Sequence, residues 1–151
     1  MSDELSSHDV YMRRCIELAR RALPTDAPVG ALVVSNGRIV AEGVEGVNAR
    51  HDVTAHAEIE ALRAACDALG TTDLTDSTLY TSVDPCAMCA YAIRLARVSL
   101  VVAGAPPDGR PRSLDGWTVL SDADAVPNRP VPSVIRGVLA RECASILRGS
   151  S

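Results

Sequence analysis

The sequence contains no lysine, because all fifteen of its basic residues are arginine, and it contains no phenylalanine. The absence of lysine excludes mechanisms that need a lysine Schiff base, including ordinary pyridoxal phosphate chemistry, and it excludes a P-loop. Aromatic residues make up only 3% of the chain, as three tyrosines and Trp117. Platforms on which single-stranded nucleic acid could stack are therefore scarce.

The chain also lacks an excess of positive charge. Nineteen acidic residues outnumber fifteen basic ones, for a net charge of −4 and an isoelectric point near 5.3. This balance does not forbid nucleic-acid binding, but it supplies no positive field to collect phosphates. It makes a nucleic-acid partner unlikely, and a small molecule is the expected substrate.

Long apolar segments are absent too. The longest apolar runs, at residues 29–34 and 98–105, are far shorter than the roughly 20 residues that span a bilayer, and they predict buried strands. The polar N-terminal residues do not resemble a signal peptide, so we expect a cytoplasmic protein with no membrane contact. A length of 151 residues predicts one domain over 1–151, and an odd number of cysteines, five, argues against a complete disulfide framework.

Periodicity predicts alternating helices and strands. A helix over residues 10–23 is closed by Pro24, and Asn36-Gly37 predicts the turn of a β-hairpin. The later predicted elements are a helix at 54–69 stopped by Gly70, a strand at 77–83, a helix to about 96 and a strand at 98–103. This order predicts an α/β protein in which helices cover both faces of a mixed sheet.

The remainder of the chain is rich in proline. Six of the nine prolines lie in residues 106–132, which predicts mostly loop with a short strand at 117–120. Residues 131–148 return to a helical pattern.

Two short motifs at predicted helix starts carry candidate chemistry. His56 and Glu58 open the second helix, and Cys86 and Cys89 open the third, where their spacing puts both thiols on one face. One imidazole and two thiolates form a zinc-type ligand set whose fourth position is left for water, as in a catalytic site. The less specific interpretation is a CxxC redox pair or a non-catalytic zinc module.

The joint spacing favours the catalytic interpretation. His-x-Glu followed about thirty residues later by Pro-Cys-x-x-Cys is the signature of zinc-dependent base deaminases, and a redox module would leave Glu58 unexplained. One zinc ion per chain is therefore expected, with His56, Cys86 and Cys89 as its ligands.

Over residues 10–104 the chain resembles the cytidine deaminase-like superfamily, in the branch that contains guanine deaminase, cytosine deaminase and bacterial tRNA adenosine deaminase. The resemblance is carried by Pro28-Val-Gly-Ala-Leu-Val-Val, Asp52-Val-Thr-Ala-His-Ala-Glu-Ile, Leu79-Tyr-Thr-Ser-Val-Asp-Pro-Cys-Ala-Met-Cys and Ala92-Ile-Arg-Leu-Ala-Arg. It implies a three-layer fold with a five-stranded mixed sheet flanked by helices, and a homodimer. It also implies Glu58 as the proton shuttle, while the backbone N–H near Ala57 is placed to orient water and substrate.

Substrate contacts are less constrained by the resemblance. Much of the branch has an asparagine that binds the base in the loop before His-x-Glu, and Glu45 stands at that position here. A carboxylate only accepts hydrogen bonds, so Glu45 would favour substrates that present N–H groups. The alternative is that Glu45 faces solvent and Asn48 takes the asparagine role.

Two residues of the proline-rich segment are further candidates. Asp115 could bind an exocyclic group of the base and Trp117 could stack on its ring, whereas a single tryptophan is more often a core or interface residue. On these grounds the expected function is hydrolytic deamination of a free nucleobase or related aminated heterocycle, cytosine-like, guanine-like or a triazine, with release of ammonia. The alternative is a tRNA-editing adenosine deaminase, which the acidic composition disfavours.

Overall fold

The computed structural model describes residues 3–106 and 116–149. Within these residues five helices and five strands alternate along the chain. The helices are α1 (Asp3–Ala22), α2 (Ala57–Leu69), α3 (Ala87–Leu95), α4 (Gly116–Ser121) and α5 (Ala140–Leu147). The strands are β1 (Gly30–Ser35), β2 (Arg38–Val44), β3 (Ser77–Val83), β4 (Leu100–Ala105) and β5 (Ser133–Ile135).

The five strands form one mixed sheet in the order β2-β1-β3-β4-β5. β1 is antiparallel to both β2 and β3, whereas β3, β4 and β5 run parallel to one another. The hairpin between β1 and β2 turns at Asn36 and Gly37, whose φ angles of 52° and 72° are the positive values that this tight turn requires. The predicted hairpin and the five-stranded mixed sheet are confirmed.

Helices cover both faces of the sheet, as predicted. Successive residues of β1 point to opposite sides, so Ala31 and Val33 pack in the core beneath α2 and α3, while Leu32 and Val34 pack beneath α1 and α5. α2 ends at Gly70, the predicted stop, which adopts the left-handed conformation with φ 65°. Two apolar cores therefore hold the three layers together.

The strand predicted at 117–120 is wrong, because these residues lie in α4. Their β-favouring side chains suggested a strand, but tertiary contacts decide the local structure here. The Gly116 N–H donates to the Pro85 carbonyl, and the buried guanidinium of Arg94 binds the carbonyls of Val119 and Asp122 near the end of the helix.

The helical pattern predicted over 131–148 is also only partly right. Residues 133–135 form β5, where Val134 pairs with Val101 of β4, and the helix begins only at Ala140. Gly137, with φ 81°, separates the two elements. Pairing with the edge of β4 therefore makes residues 133–135 a strand, although their periodicity alone predicts a helix.

Among the described helices, none is both long enough and apolar enough to cross a membrane.

Candidate active site

The candidate metal ligands come from the N-terminal ends of two neighbouring helices. His56 is the N-cap residue of α2 and has an extended backbone, with φ −68° and ψ 151°. Cys86 is the N-cap of α3, again with an extended backbone, and Cys89 lies in the first turn of that helix. The loop after β2 delivers His56 and the end of β3 delivers Cys86, so residues thirty positions apart meet in space.

Their side chains converge on one point. Cys86 Sγ lies 3.6 Å and Cys89 Sγ 3.5 Å from His56 Nδ1, and the three potential ligand atoms all lie within 4.8 Å of one another. Tetrahedral zinc, with Zn–S near 2.3 Å and Zn–N near 2.0 Å, separates nitrogen from sulfur by about 3.6 Å. The donor set and its spacing therefore fit one zinc ion, and His56 would bind it through Nδ1.

The electrostatics of the three candidate ligands differ. Contact with Cys86 raises the pKa of the Cys89 thiol, whereas the pKa of Cys86 itself is lowered. The hydrogen bonds of Cys86 with Cys89 and with His56 lower the pKa of the Cys86 thiol to about 4. The Cys89 N–H also donates to Cys86 Sγ over 3.5 Å. The thiolate form, which a metal requires, is thus favoured at Cys86. The same contact with Cys86 raises the pKa of His56 to about 9.

Glu58 lies in the first turn of α2, two residues after His56. Its side chain is buried, at 4% exposure, and burial raises the pKa of its carboxyl group to about 7. A carboxyl group with such a pKa can both accept and return a proton near neutral pH. Its position two residues after His56 puts this proton carrier beside the candidate metal site.

The Glu45 side chain reaches the start of α2. The Ala57 N–H at the start of α2 donates to Glu45 Oε1 over 2.8 Å. Burial raises the pKa of Glu45, while the hydrogen bond from Ala57 opposes that shift. The sequence predicts that the Ala57 N–H orients water or substrate. In this structure the Ala57 N–H instead donates to Glu45.

Asn48 is held elsewhere. Its side-chain amide donates to the Thr25 carbonyl over 2.9 Å, and its backbone N–H donates to Asp26 Oδ1 over 2.6 Å. These bonds attach the loop after β2 to the segment between α1 and β1. Of the two candidates for the asparagine role, Glu45 contacts the start of α2, whereas Asn48 binds Thr25 and Asp26.

Trp117 and Asp115 are the remaining sequence candidates. Trp117 is half-buried in α4, where its Nε1–H donates to Asp84 Oδ2 over 2.9 Å. The Arg136 guanidinium lies over its ring, with 4.3 Å between Cζ and the ring centroid, and also donates to Asp84 Oδ2. Asp115 lies outside the described residues.

Sequence reasoning missed Asp84 and Arg136 as participants near the site. A signal for Asp84 existed, since it is an acidic residue that directly precedes Pro85-Cys86 at the end of a strand. Arg136 had no local signal, because 52 residues separate it from Asp84.

The chain is similar to a known protein family and to proteins of known activity. Residues 5–105 match the family described as the cytidine and deoxycytidylate deaminase zinc-binding region. A tRNA-specific adenosine deaminase of Agrobacterium fabrum is 38% identical over 91% of this chain and 90% of its own length. Guanine deaminase of Bacillus subtilis is 42% identical, over 63% of this chain and 62% of its own length.

The fold is also similar to that of a solved structure. A structure from work on A-to-I editing by tRNA:A34 deaminases superposes with a TM-score of 0.81 at 35% identity, covering 91% of this chain and 98% of that one. The chain spans only 12% of one relative, the chloroplastic tRNA(adenine(34)) deaminase of Arabidopsis thaliana, to which it is 38% identical.

These comparisons contradict two sequence-based expectations. The preference for a free nucleobase or related heterocycle, and the statement that a nucleic-acid partner is unlikely, are wrong, because relatives that align along nearly the whole chain are tRNA-specific adenosine deaminases. The match to the Bacillus subtilis guanine deaminase covers only 63% of this chain. Net charge and aromatic content average over the whole chain, whereas RNA recognition depends on the few groups that surround the site.

Proposed function

The chain belongs to the cytidine and deoxycytidylate deaminase family, and from that premise we propose that its substrate is an adenosine within tRNA, converted to inosine with release of ammonia. It is a zinc-dependent hydrolytic deaminase. The observation that carries the substrate proposal is the alignment, over 90% of both chains, with a tRNA-specific adenosine deaminase. The reaction forms a bond from the oxygen of water to C6 of adenine and breaks the bond from C6 to the amino nitrogen.

We propose His56, Cys86 and Cys89 as the zinc ligands. The N–S separations of 3.5 and 3.6 Å support this assignment, as does the low pKa of the Cys86 thiol. When bound, zinc activates water as the nucleophile. Two thiolate ligands donate charge to the metal and weaken this effect, so a protein base is needed to take the proton.

Glu58 is proposed as that base and as the proton shuttle. It accepts a proton from the attacking water, delivers it to the ring nitrogen beside C6, and later protonates the departing amine. Its buried carboxyl group, with a pKa of about 7, supports both halves of this role. Glu45, held by the Ala57 N–H, is the proposed acceptor for an N–H group of the base.

The substrate proposal is tested with zinc-loaded protein and an RNA anticodon stem-loop that carries adenosine at the first anticodon position. We expect inosine, detected by mass spectrometry of the digested RNA, and no comparable ammonia release from free guanine, cytosine or adenine. A matched stem-loop with the adenosine moved into the paired stem serves as the control substrate. Ammonia release from a free base without inosine in RNA would overturn the proposal.

Two variants test the residue roles, and two more serve as controls. E58Q is expected to keep zinc but to lose activity by a factor of at least about 100, the usual scale of acid–base catalysis. C86S is expected to lose both zinc and activity. E60Q and C66S are the matched controls on α2, because Glu60 pairs with the exposed guanidinium groups of Arg50 and Arg63 and Cys66 lies near the far end of the helix. A fully active E58Q protein contradicts the shuttle assignment.

A further inference from the structure

We propose that Asp84 is a positioning residue for the metal site, whose carboxylate fixes the turn that presents Cys86 by binding Trp117 and Arg136. The inference rests on the zinc centre proposed above, but not on the identity of the substrate. Nothing in the mechanism uses Asp84, Trp117 or Arg136, although the three form a connected cluster directly beside a proposed ligand.

Asp84 stands at the junction between β3 and the metal turn. It follows Val83, the last residue of β3, and precedes Cys86 by two residues. Its side chain is almost fully buried, at 2% exposure, and its N–H donates to the Ala105 carbonyl at the end of β4 over 2.7 Å. A buried carboxylate requires strong partners, because burying an unpaired charge is costly.

Two elements distant in sequence supply those partners. The Trp117 Nε1–H, from α4, and the Arg136 NH2 group, from the residue after β5, donate to the same oxygen, Asp84 Oδ2, over 2.9 and 2.7 Å. The Arg136 guanidinium also stacks on the indole, so the two donors support each other. The carboxylate therefore connects α4 and the end of β5 to the start of the metal turn.

The backbone of α4 contacts the same turn. The Gly116 N–H donates to the Pro85 carbonyl over 3.0 Å. A Cβ atom at position 116 would lie 2.4 Å from the Pro85 carbonyl oxygen and 2.6 Å from that of Cys86, so only glycine permits this approach. The turn is thus held through its side chain at Asp84 and through its backbone at Pro85.

The consequence for the metal site is geometric. The path of residues 84–86 sets where Cys86 Sγ lies relative to His56 Nδ1, and metal ligands tolerate errors of only about 0.2 Å. A turn released from α4 and Arg136 would sample positions in which Cys86 no longer completes the ligand set. Loss of such supporting groups typically lowers metal affinity by about 10- to 100-fold.

The test measures zinc affinity by competition with a chromogenic chelator, using the whole chain. D84N keeps the shape of the side chain but loses the charge that Arg136 needs, and W117F removes the N–H donor while keeping a ring beneath Arg136. Both variants are expected to bind zinc at least about tenfold more weakly than the unmodified chain. Their cobalt-loaded forms are expected to show altered sulfur-to-metal charge-transfer bands, a signature that general destabilisation would not produce.

E42Q is the matched control. Glu42 forms a comparable ion pair with Arg14, at 2.6 Å, but it does so between β2 and α1, away from the metal turn. We expect E42Q to lower stability against urea while leaving zinc affinity and the cobalt spectrum unchanged. Wild-type zinc affinity in both D84N and W117F would overturn the inference, whatever RNA or base the enzyme acts on.

The chain offers two further readouts. Trp117 is its only tryptophan, so its fluorescence reports on this cluster without labelling, and a red-shifted emission is expected in D84N.

A pocket of about 300 Å³ borders Asp84 and Arg136. In D84A, added formate is expected to enter this pocket, replace the carboxylate, and restore both zinc affinity and emission; failure of formate to restore either in a folded D84A protein counts against the inference.

Discussion

The five cysteines lie in different environments, and their thiols differ accordingly. Burial raises the pKa of Cys15 and raises that of Cys143 to about 12, which suits apolar packing residues. Cys86 is the opposite case, because hydrogen bonds from Cys89 and His56 lower its pKa to about 4. Cysteine is therefore an apolar core residue at positions 15 and 143 and a candidate metal ligand at position 86.

Glu45 offers a prediction about specificity. The variant E45Q keeps an oxygen that can accept from the Ala57 N–H, but its amide presents donors to the substrate in place of a second acceptor. We expect E45Q to change the ratio of kcat/KM values among stem-loops that carry adenosine, 2,6-diaminopurine or cytidine at the target position, by about tenfold or more.

Asn48 provides the matched control for that experiment, since its amide is used by the Thr25 carbonyl. N48A, which removes this bond without placing a charge beside Asp26, is expected to leave the substrate ratios unchanged. If E45Q lowers all rates by one common factor, Glu45 only caps α2 and does not contact the base.

Contacts from other parts of the chain hold α4 in place. Arg94 of α3 is buried, at 1% exposure. Within the described residues, its guanidinium donates hydrogen bonds only to backbone carbonyls. The acceptors are the carbonyls of Val119, Asp122, Ala123, Arg129 and Pro130. One side chain thus organises the end of α4 and the loop that follows it.

The variant R94M removes all of these donors while keeping a long side chain. We expect the free energy of unfolding to fall by about 3 kcal/mol or more, because several buried carbonyls lose their partners. R97M, in which one carbonyl contact at the surface is lost, is expected to change stability by about 0.5 kcal/mol or less. Urea denaturation followed by Trp117 fluorescence measures both, and equal effects of the two variants would contradict the role given to Arg94.

At the scale of the whole molecule, a bidentate ion pair between Arg14 and Glu42, at 2.6 and 2.9 Å, joins α1 to the sheet. The hydrogen bond to Arg14 lowers the pKa of Glu42 below its ordinary value of 4.5. A lowered pKa in the folded state means that this pair stabilises the protein above pH 4.5, and that the contribution disappears as the pH falls through the lowered pKa.

The corresponding prediction compares the unmodified chain with E42Q as a function of pH. The difference in the free energy of unfolding is expected to be largest near neutral pH and to shrink as the pH falls below about 4.5. Urea titrations of both proteins at several pH values measure it. A difference that stays constant down to pH 3 would show that the ionised carboxylate does not stabilise the fold.

Some expectations about the whole molecule stay predictions. These are the single domain over 1–151, the homodimer and the cytoplasmic location, none of which the described residues test. The roles of Ala57, Asp115 and Trp117 in substrate binding also stay predictions, and Trp117 already has Asp84 as a hydrogen-bond partner.

Local pattern was sufficient to predict the elements up to β4 and the candidate ligands. The Asn36-Gly37 turn, the glycine at the end of α2 and the two motifs at helix starts each carry their information within a few residues. Composition was less informative about the substrate, because a charge average over 151 residues does not describe the surface around one site.

The amino-acid sequence by itself determined the mixed α/β sheet, the His56, Cys86 and Cys89 set and the carboxylate of Glu58, since these depend on spacing along the chain. Only the tertiary structure decided which of Glu45 and Asn48 faces the start of α2, that residues 117–120 are helical, and that Asp84 is bound by Trp117 and Arg136. Those outcomes depend on partners between 12 and 52 residues away in the chain, and a buried donor or acceptor takes whichever partner the packing brings within reach.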